Sequence, residues 1–180
     1  MISEKMEKAL NGQVNKEMYS AYLYMSMAAH SAAEGLKGFA NWFMVQYHEE
    51  MFHAMKLYEY IGRQGGRPKL MAIAEPPSQF DSPLDMFQKT LEHEKFITKS
   101  INELVDLAIG ERDHATQIFL QWYVTEQIEE EENDNDIIAK LKLVGLGEGG
   151  KNGLFMIDKE LGARVTTVLT DFSKGVEGAA

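Results

Sequence analysis

The chain contains no cysteine, so it has no disulfide framework, no thiolate metal site and no thiol nucleophile. Any metal it holds must be bound by oxygen and imidazole. Basic residues are in deficit: 18 Lys and Arg stand against 28 Asp and Glu, a formal net charge of −10. Nowhere do Lys and Arg gather into the patch that a phosphate backbone needs, which excludes nucleic acid as a partner and favours cations. Long apolar runs are missing as well. The N-terminus, MISEKMEKAL, is charged, and no later segment approaches the length of a membrane span, so neither secretion nor insertion is expected and cytoplasmic residence is the default. Proline is scarce: all four lie between residues 68 and 83, a stretch that therefore cannot be continuous helix.

What the chain does have is helical periodicity. With 180 residues, 44% of them apolar, it is long enough for one domain with a sizeable core. Apolar residues recur at three- and four-residue spacing over four long stretches, which predicts helices at about residues 3–34, 38–64, 83–110 and 113–144. The first opens at Ser3, a good N-cap, carries Met6, Leu10, Val14, Met18, Ala21 and Met25 on one stripe, and ends at Gly35. The second turns Phe39, Phe43, Gln46, Leu57 and Ile61 inward and stops at Gly65-Gly66. Ser82 and Pro83 start the third, with Phe87, Leu91, Ile101, Leu104 and Ala108. The fourth follows a tight turn at Asp113, with Phe119, Tyr123, Ile137, Leu141 and Val144 inward, and is closed by Gly145, Gly147 and Gly149-Gly150.

The proline-bearing link can reach about 60 Å when extended, more than the roughly 40 Å of the helix before it. It can return along the whole bundle, which makes helices two and three parallel. GLFMIDKEL, within residues 152–162, predicts a short amphipathic helix that must dock on something. Residues 164–180 read as a poorly ordered tail. The expected fold is all-α: a four-helix bundle with one long crossover between helices two and three, plus a short fifth helix, in one domain over residues 1–163.

The informative residues are the polar ones on apolar stripes. Helix one sends Glu17 and Tyr24 inward, helix two Glu50 and His53, helix three Glu94, and helix four Glu126 and Glu130, with Gln127 at the margin. Their heights can be compared by counting from each turn. Glu17 lies 18 residues before Gly35 and His53 lies 18 after it, while Glu94 and Glu130 lie 18 on either side of Arg112. The acids converge on one level. Unpaired carboxylates buried together would protonate or unfold the core, and a pair of divalent cations removes both penalties. Carboxylates with one imidazole suit iron or manganese, and sometimes zinc.

Blander readings apply elsewhere. Taken singly, each inward Glu is a boundary residue, and His53 is set apart only by its spacing from Glu50. His30, His48, His93 and His114 lack such company and are taken as structural. Glu131 and Glu132 belong to a solvated face. Met51 is taken as packing rather than as a haem ligand.

Four stretches, NKEMYSAYLY around Glu17, QYHEEMFHAMKL around Glu50 and His53, LEHEKFIT around Glu94 and FLQWYVTEQIEEE around Glu130, resemble the non-haem ferritins of bacteria and archaea. The resemblance covers about residues 3–162. It implies a ferritin-like bundle, ferroxidase activity and iron storage in a hollow homo-oligomeric shell of about 24 subunits. It further implies that Glu17, Glu50 and His53 hold one iron, and that Glu50, as a bridge, holds the second with Glu94 and Glu130. Gln127 would sit beside the second iron and Tyr24 near the first. A third iron site would use Glu49, Glu126, Glu129 and Glu130, and GLFMIDKEL would be the helix that packs about fourfold axes. Gln127-x-x-Glu130 stands where bacterioferritins repeat Glu-x-x-His, so no haem is expected. Three functions compete: oxidation of Fe(II) by O₂ or H₂O₂ with storage of the ferric product, divalent-metal buffering or peroxide detoxification without mineral, and a structural bundle with partly solvated acids.

Overall fold

The computed structural model describes residues 1–145 and 150–176. It contains five helices, α1 (Glu4–Ala33), α2 (Lys37–Arg63), α3 (Pro83–Glu111), α4 (His114–Val144) and α5 (Gly150–Leu161), and no strand among the described residues. Local chemistry sets the starts. The hydroxyl of Ser3 accepts from the amide of Met6, that of Ser82 from Asp85 with Pro83 at the first helical position, and the Asp113 carboxylate from Thr116. The stops are left-handed residues: Gly35 (φ 79°), Gly65 (φ 77°) and Arg112 (φ 57°), the last the one non-glycine with positive φ among the described residues. Gly147 and Gly149 lie outside the described residues.

Topology follows from the crossover. Residues 67–77 run beside α1 in its own direction: Asn11 Nδ2 donates to the carbonyl of Arg67 (3.1 Å), Asn15 to Ala72 (3.1 Å) and Ser26 to Pro77 (2.7 Å). The link therefore delivers α3 to the end of the bundle where α1 finishes, and α3 runs parallel to α2. Two apolar clusters fill the interior, one around Met27, Phe39, Phe43, Phe87 and Ile138, the other around Leu10, Leu57, Ile101, Leu104 and Leu120. The inward acids lie between them.

Helix α5 closes one end. Leu36 supplies no side-chain cap for α2, and Asp158 does so from α5, its Oδ1 accepting from the amides of Gly38 (2.8 Å) and Phe39 (3.1 Å). The approach is so close that a Cβ on Gly38 would lie 1.6 Å from the carbonyl oxygen of Asp158. Beyond α5, the chain holds to α2 instead of hanging free: Asn41 donates to the carbonyls of Leu161 (3.3 Å) and Arg164 (2.9 Å), and the amide of Val176 donates to Glu59 (2.9 Å). The last four residues, 177–180, fall outside the description.

Most residues on the inward stripes read off the sequence are buried, including Met6, Leu10, Val14 and Ala21 on α1 and all five on α2, and a few positions depart from them. Met18 is half-buried and Met25 exposed on α1. On α4 the buried line is Leu120, Tyr123, Gln127, Glu130, Asp134, Ile138 and Leu141, so Gln127 is inside, Phe119 and Glu126 are half-buried, and Asp134 is an additional interior acid. The reason is physical: α4 turns amide and carboxylate inward while Ile118 and Ile128 face out, which blurs the apolar periodicity that fixes a helix's phase.

Candidate metal centre

Five of the predicted site residues, Glu17 on α1, Glu50 and His53 on α2, Glu94 on α3 and Glu130 on α4, are each no more than 6% exposed. Their burial follows from helical spacing. Gln13, Glu17, Ser20 and Tyr24 form one face of α1, and Gln46, Glu50, His53 and Leu57 one face of α2.

Glu17, Glu50 and His53 come closest. One ligand atom of each lies within 4.8 Å of the others, and His53 Nδ1 is 3.6 Å from Glu50 Oε2. Gln13 Nε2 donates to Glu17 Oε1 (2.8 Å), while Glu17 Oε2 is buried without a hydrogen-bond partner. Burial pushes the Glu17 carboxyl up to about 7, partly offset by the Gln13 hydrogen bond. Glu50 stands well above the usual carboxylate range, through burial and then the charges of Glu94, Glu17 and Glu130. His53 is driven the other way, down to about 3, by burial and then by Lys56, so its ring is neutral and carries a free lone pair.

Glu94 and Glu130 belong to no three-donor set of this kind among the described residues. Each is held by its own partners. Tyr24 Oη donates to Glu94 Oε1, and Gln127 Nε2 reaches Glu94 Oε2 (3.0 Å) and Thr98 (3.3 Å). Gln46 Nε2 donates to Glu130 Oε2 (2.8 Å). Burial raises Glu94, which the Tyr24 and Gln127 hydrogen bonds oppose. Glu130 rises further, through burial and the charges of Glu94 and Glu49.

The remaining predicted acids lie on the α2 and α4 side. Glu49 is half-buried and paired with Arg164 (2.6 Å), Glu126 is half-buried, and Glu129 is exposed. Together with Glu130, Trp122 and His53 they border a cleft of about 260 Å³. Of the residues read as a solvated face, Glu131 is half-buried and accepts from Thr98 (2.7 Å), and Glu132 is exposed. His93, read as structural, bonds Ser20 (2.8 Å), and burial lowers it to about 4.

Sequence reasoning missed Gln13, the functional use of Gln46, and Asp134. Asp134 is 1% exposed, neither carboxylate oxygen has a hydrogen-bond partner, and burial followed by the charges of Glu94 and Glu130 pushes it up to about 9. Its position four residues past Glu130 was the available signal.

The bundle with its interior layer of carboxylates has close relatives. The ferritin-like domain family matches residues 7–144. A bacterial non-haem ferritin of Bacteroides fragilis is 42% identical over 164 residues, 91% of this chain and 100% of that protein, and one of Campylobacter jejuni is 44% identical over 159 residues, 88% and 93%. Among solved structures, the open-pore ferritin of the hyperthermophilic archaeon Archaeoglobus fulgidus aligns with a TM-score of 0.89 at 53% identity over 92% of this chain and 100% of that one. A closed form engineered from the same archaeal ferritin gives the same TM-score and identity. With helix order, long crossover, capping fifth helix and interior acids all in place, the chain belongs to the ferritin family.

Proposed function

We propose that this protein stores iron, taking up Fe(II), oxidising it at an intrasubunit two-metal centre and passing Fe(III) to a mineral inside a homo-oligomeric shell. The observation that carries the reading is the buried Glu17–Glu50–His53 set, three donors within 4.8 Å of one another. Its chemistry fits ferrous iron: oxygen donors, one neutral imidazole, and two carboxyls, Glu17 and Glu50, turned toward each other in a buried site. Glu50 would be shared with a second position that Glu94 and Glu130 would complete, and Glu49, Glu126, Glu129 and Glu130 would hold a third ion.

The protein's own part is orientation and proton handling. Gln13 aligns Glu17, Gln46 aligns Glu130, and Tyr24 with Gln127 aligns Glu94, the kind of support that fixes ligand geometry. The phenol of Tyr24 is held well above its ordinary value by burial and nearby acids, so it remains a hydrogen-bond donor. Two Fe(II) supply the two electrons that reduce one O₂ to H₂O₂ with uptake of two protons. Peroxide as oxidant and cytoplasmic residence belong to the same proposal. Exposed apolar residues such as Tyr22, Leu70, Met71 and Phe96 support assembly.

Anaerobic Fe(II) titration followed by air is the test. Stoichiometric binding and rapid oxidant consumption are expected, with the rate reduced at least tenfold, roughly, in Glu50→Ala and His53→Ala. Oxidation at the wild-type rate in both variants would defeat the proposal. A particle near 490 kDa, about 24 chains of 20.4 kDa, is expected on sizing.

A further inference from the structure

The cleft beside His53 already holds a cation supplied by the chain itself. Arg164, just past α5, donates from Nη2 to Glu49 Oε2 at 2.6 Å. Its guanidinium carbon lies 4.7 Å from the centroid of the Trp42 ring, and its carbonyl accepts from Asn41 (2.9 Å). Backbone and side chain are thus both fixed by α2. The cleft is bordered on the bundle side by Glu49, Glu126, Glu129 and Glu130, and on the tail side by Arg164, Thr167 and Val168. Arg164 Nη1 is buried without a hydrogen-bond partner, so half of its fork is unused.

We propose that Arg164 is the resident counter-cation of this cleft: a metal ion binding there must displace the guanidinium from Glu49, so the tail sets the affinity of the cleft for metal. The inference rests on the metal-centre reading above and adds to it a residue outside the ligand set. Arginine suits the role because it cannot lose its proton and has no lone pair to offer a metal, so it competes and never coordinates. Without it, four acids would face one another across the metal-free cleft. With it, Glu49 is compensated at rest and the cleft fills after the Glu17–Glu50–His53 cluster. Stacking on Trp42 gives the displaced guanidinium a place to stay, so exchange needs a side-chain swing and no unfolding of the tail.

The test is calorimetric titration of the metal-free full-length protein with Co(II), read per subunit. In the wild type the third equivalent is expected to bind more weakly than the first two. Arg164→Ala and Arg164→Gln should each tighten that third equivalent by about tenfold, which corresponds to roughly 1.4 kcal/mol. Arg164→Lys keeps the charge without the planar fork and should fall between them and the wild type. Arg164→Gln, near in length, secures the result if the alanine variant does not fold. A third-equivalent affinity that is unchanged or weaker in the neutral variants overturns the proposal. Absence of the first two equivalents in the wild type would instead overturn the metal-centre reading.

Discussion

Replacing Asp134 by Asn should make the metal-free protein more stable, by an amount that grows with pH. The carboxyl is buried beside Glu94 and Glu130 and titrates at about 9, against an ordinary 3.8. The folded protein therefore keeps a proton that the unfolded chain gives up above pH 3.8, so stability contributed at this position falls as pH rises between those limits. At about 1.36 kcal/mol per pH unit, the loss is about 1.6 kcal/mol at pH 5 and about 4 kcal/mol at pH 7. Relaxation and water penetration reduce such figures by about half, leaving roughly 2 kcal/mol at pH 7, or about 4–8 °C in thermal midpoint. Asn has the same shape and does not titrate. Calorimetric scans of both proteins at pH 5, 6, 7 and 8.5 would show the midpoints close together at pH 5 and separating steadily. A constant gap across that range, or a wild type more stable than Asp134→Asn at pH 8.5, would refute the reasoning.

Metal uptake by the same interior should release protons. Glu17 titrates near 7 and Glu50 and Glu130 well above the carboxylate range, so at pH 6.5 Zn(II) must displace protons, and a pH-indicator titration should count at least one per ion. Affinity is then expected to rise with pH. Gln13→Leu removes the hydrogen bond that aligns Glu17 and should weaken the first metal equivalent roughly 10–100-fold by calorimetry, with secondary structure by circular dichroism unchanged. Gly38→Ala forces α5 off the bundle because the new methyl would overlap the Asp158 carbonyl, and a loss of about 2–4 kcal/mol is expected in denaturant midpoints. A Gly38→Ala protein with wild-type stability would show that α5 does not need this close approach.

Much of this architecture is written in short-range signals. Ser3, Ser82-Pro83 and Asp113 mark helix starts in the sequence and cap in the structure, and counting from Gly35 and Arg112 puts Glu17, His53, Glu94 and Glu130 at one height. What escaped reading is polar and inward. Gln13 is an ordinary surface residue by composition, and only its bond to Glu17 reveals it as interior; Gln46 lies on the inward stripe of the sequence, but its partner Glu130 is on another helix and no local spacing announces it. Asp134 sits in NDND, which reads as solvated charge until the phase of α4 is known. The contact of Arg164 with Glu49 spans 115 residues and has no periodicity to announce it.

The two apolar clusters leave the bundle with a hydrophilic belt at mid-height, bonded above and below to tightly packed halves. Each half can keep its own order while the belt changes occupancy. Under the proposed function, loading and emptying would be adjustments of a few side chains at the girdle, with neither end of the rod unwinding.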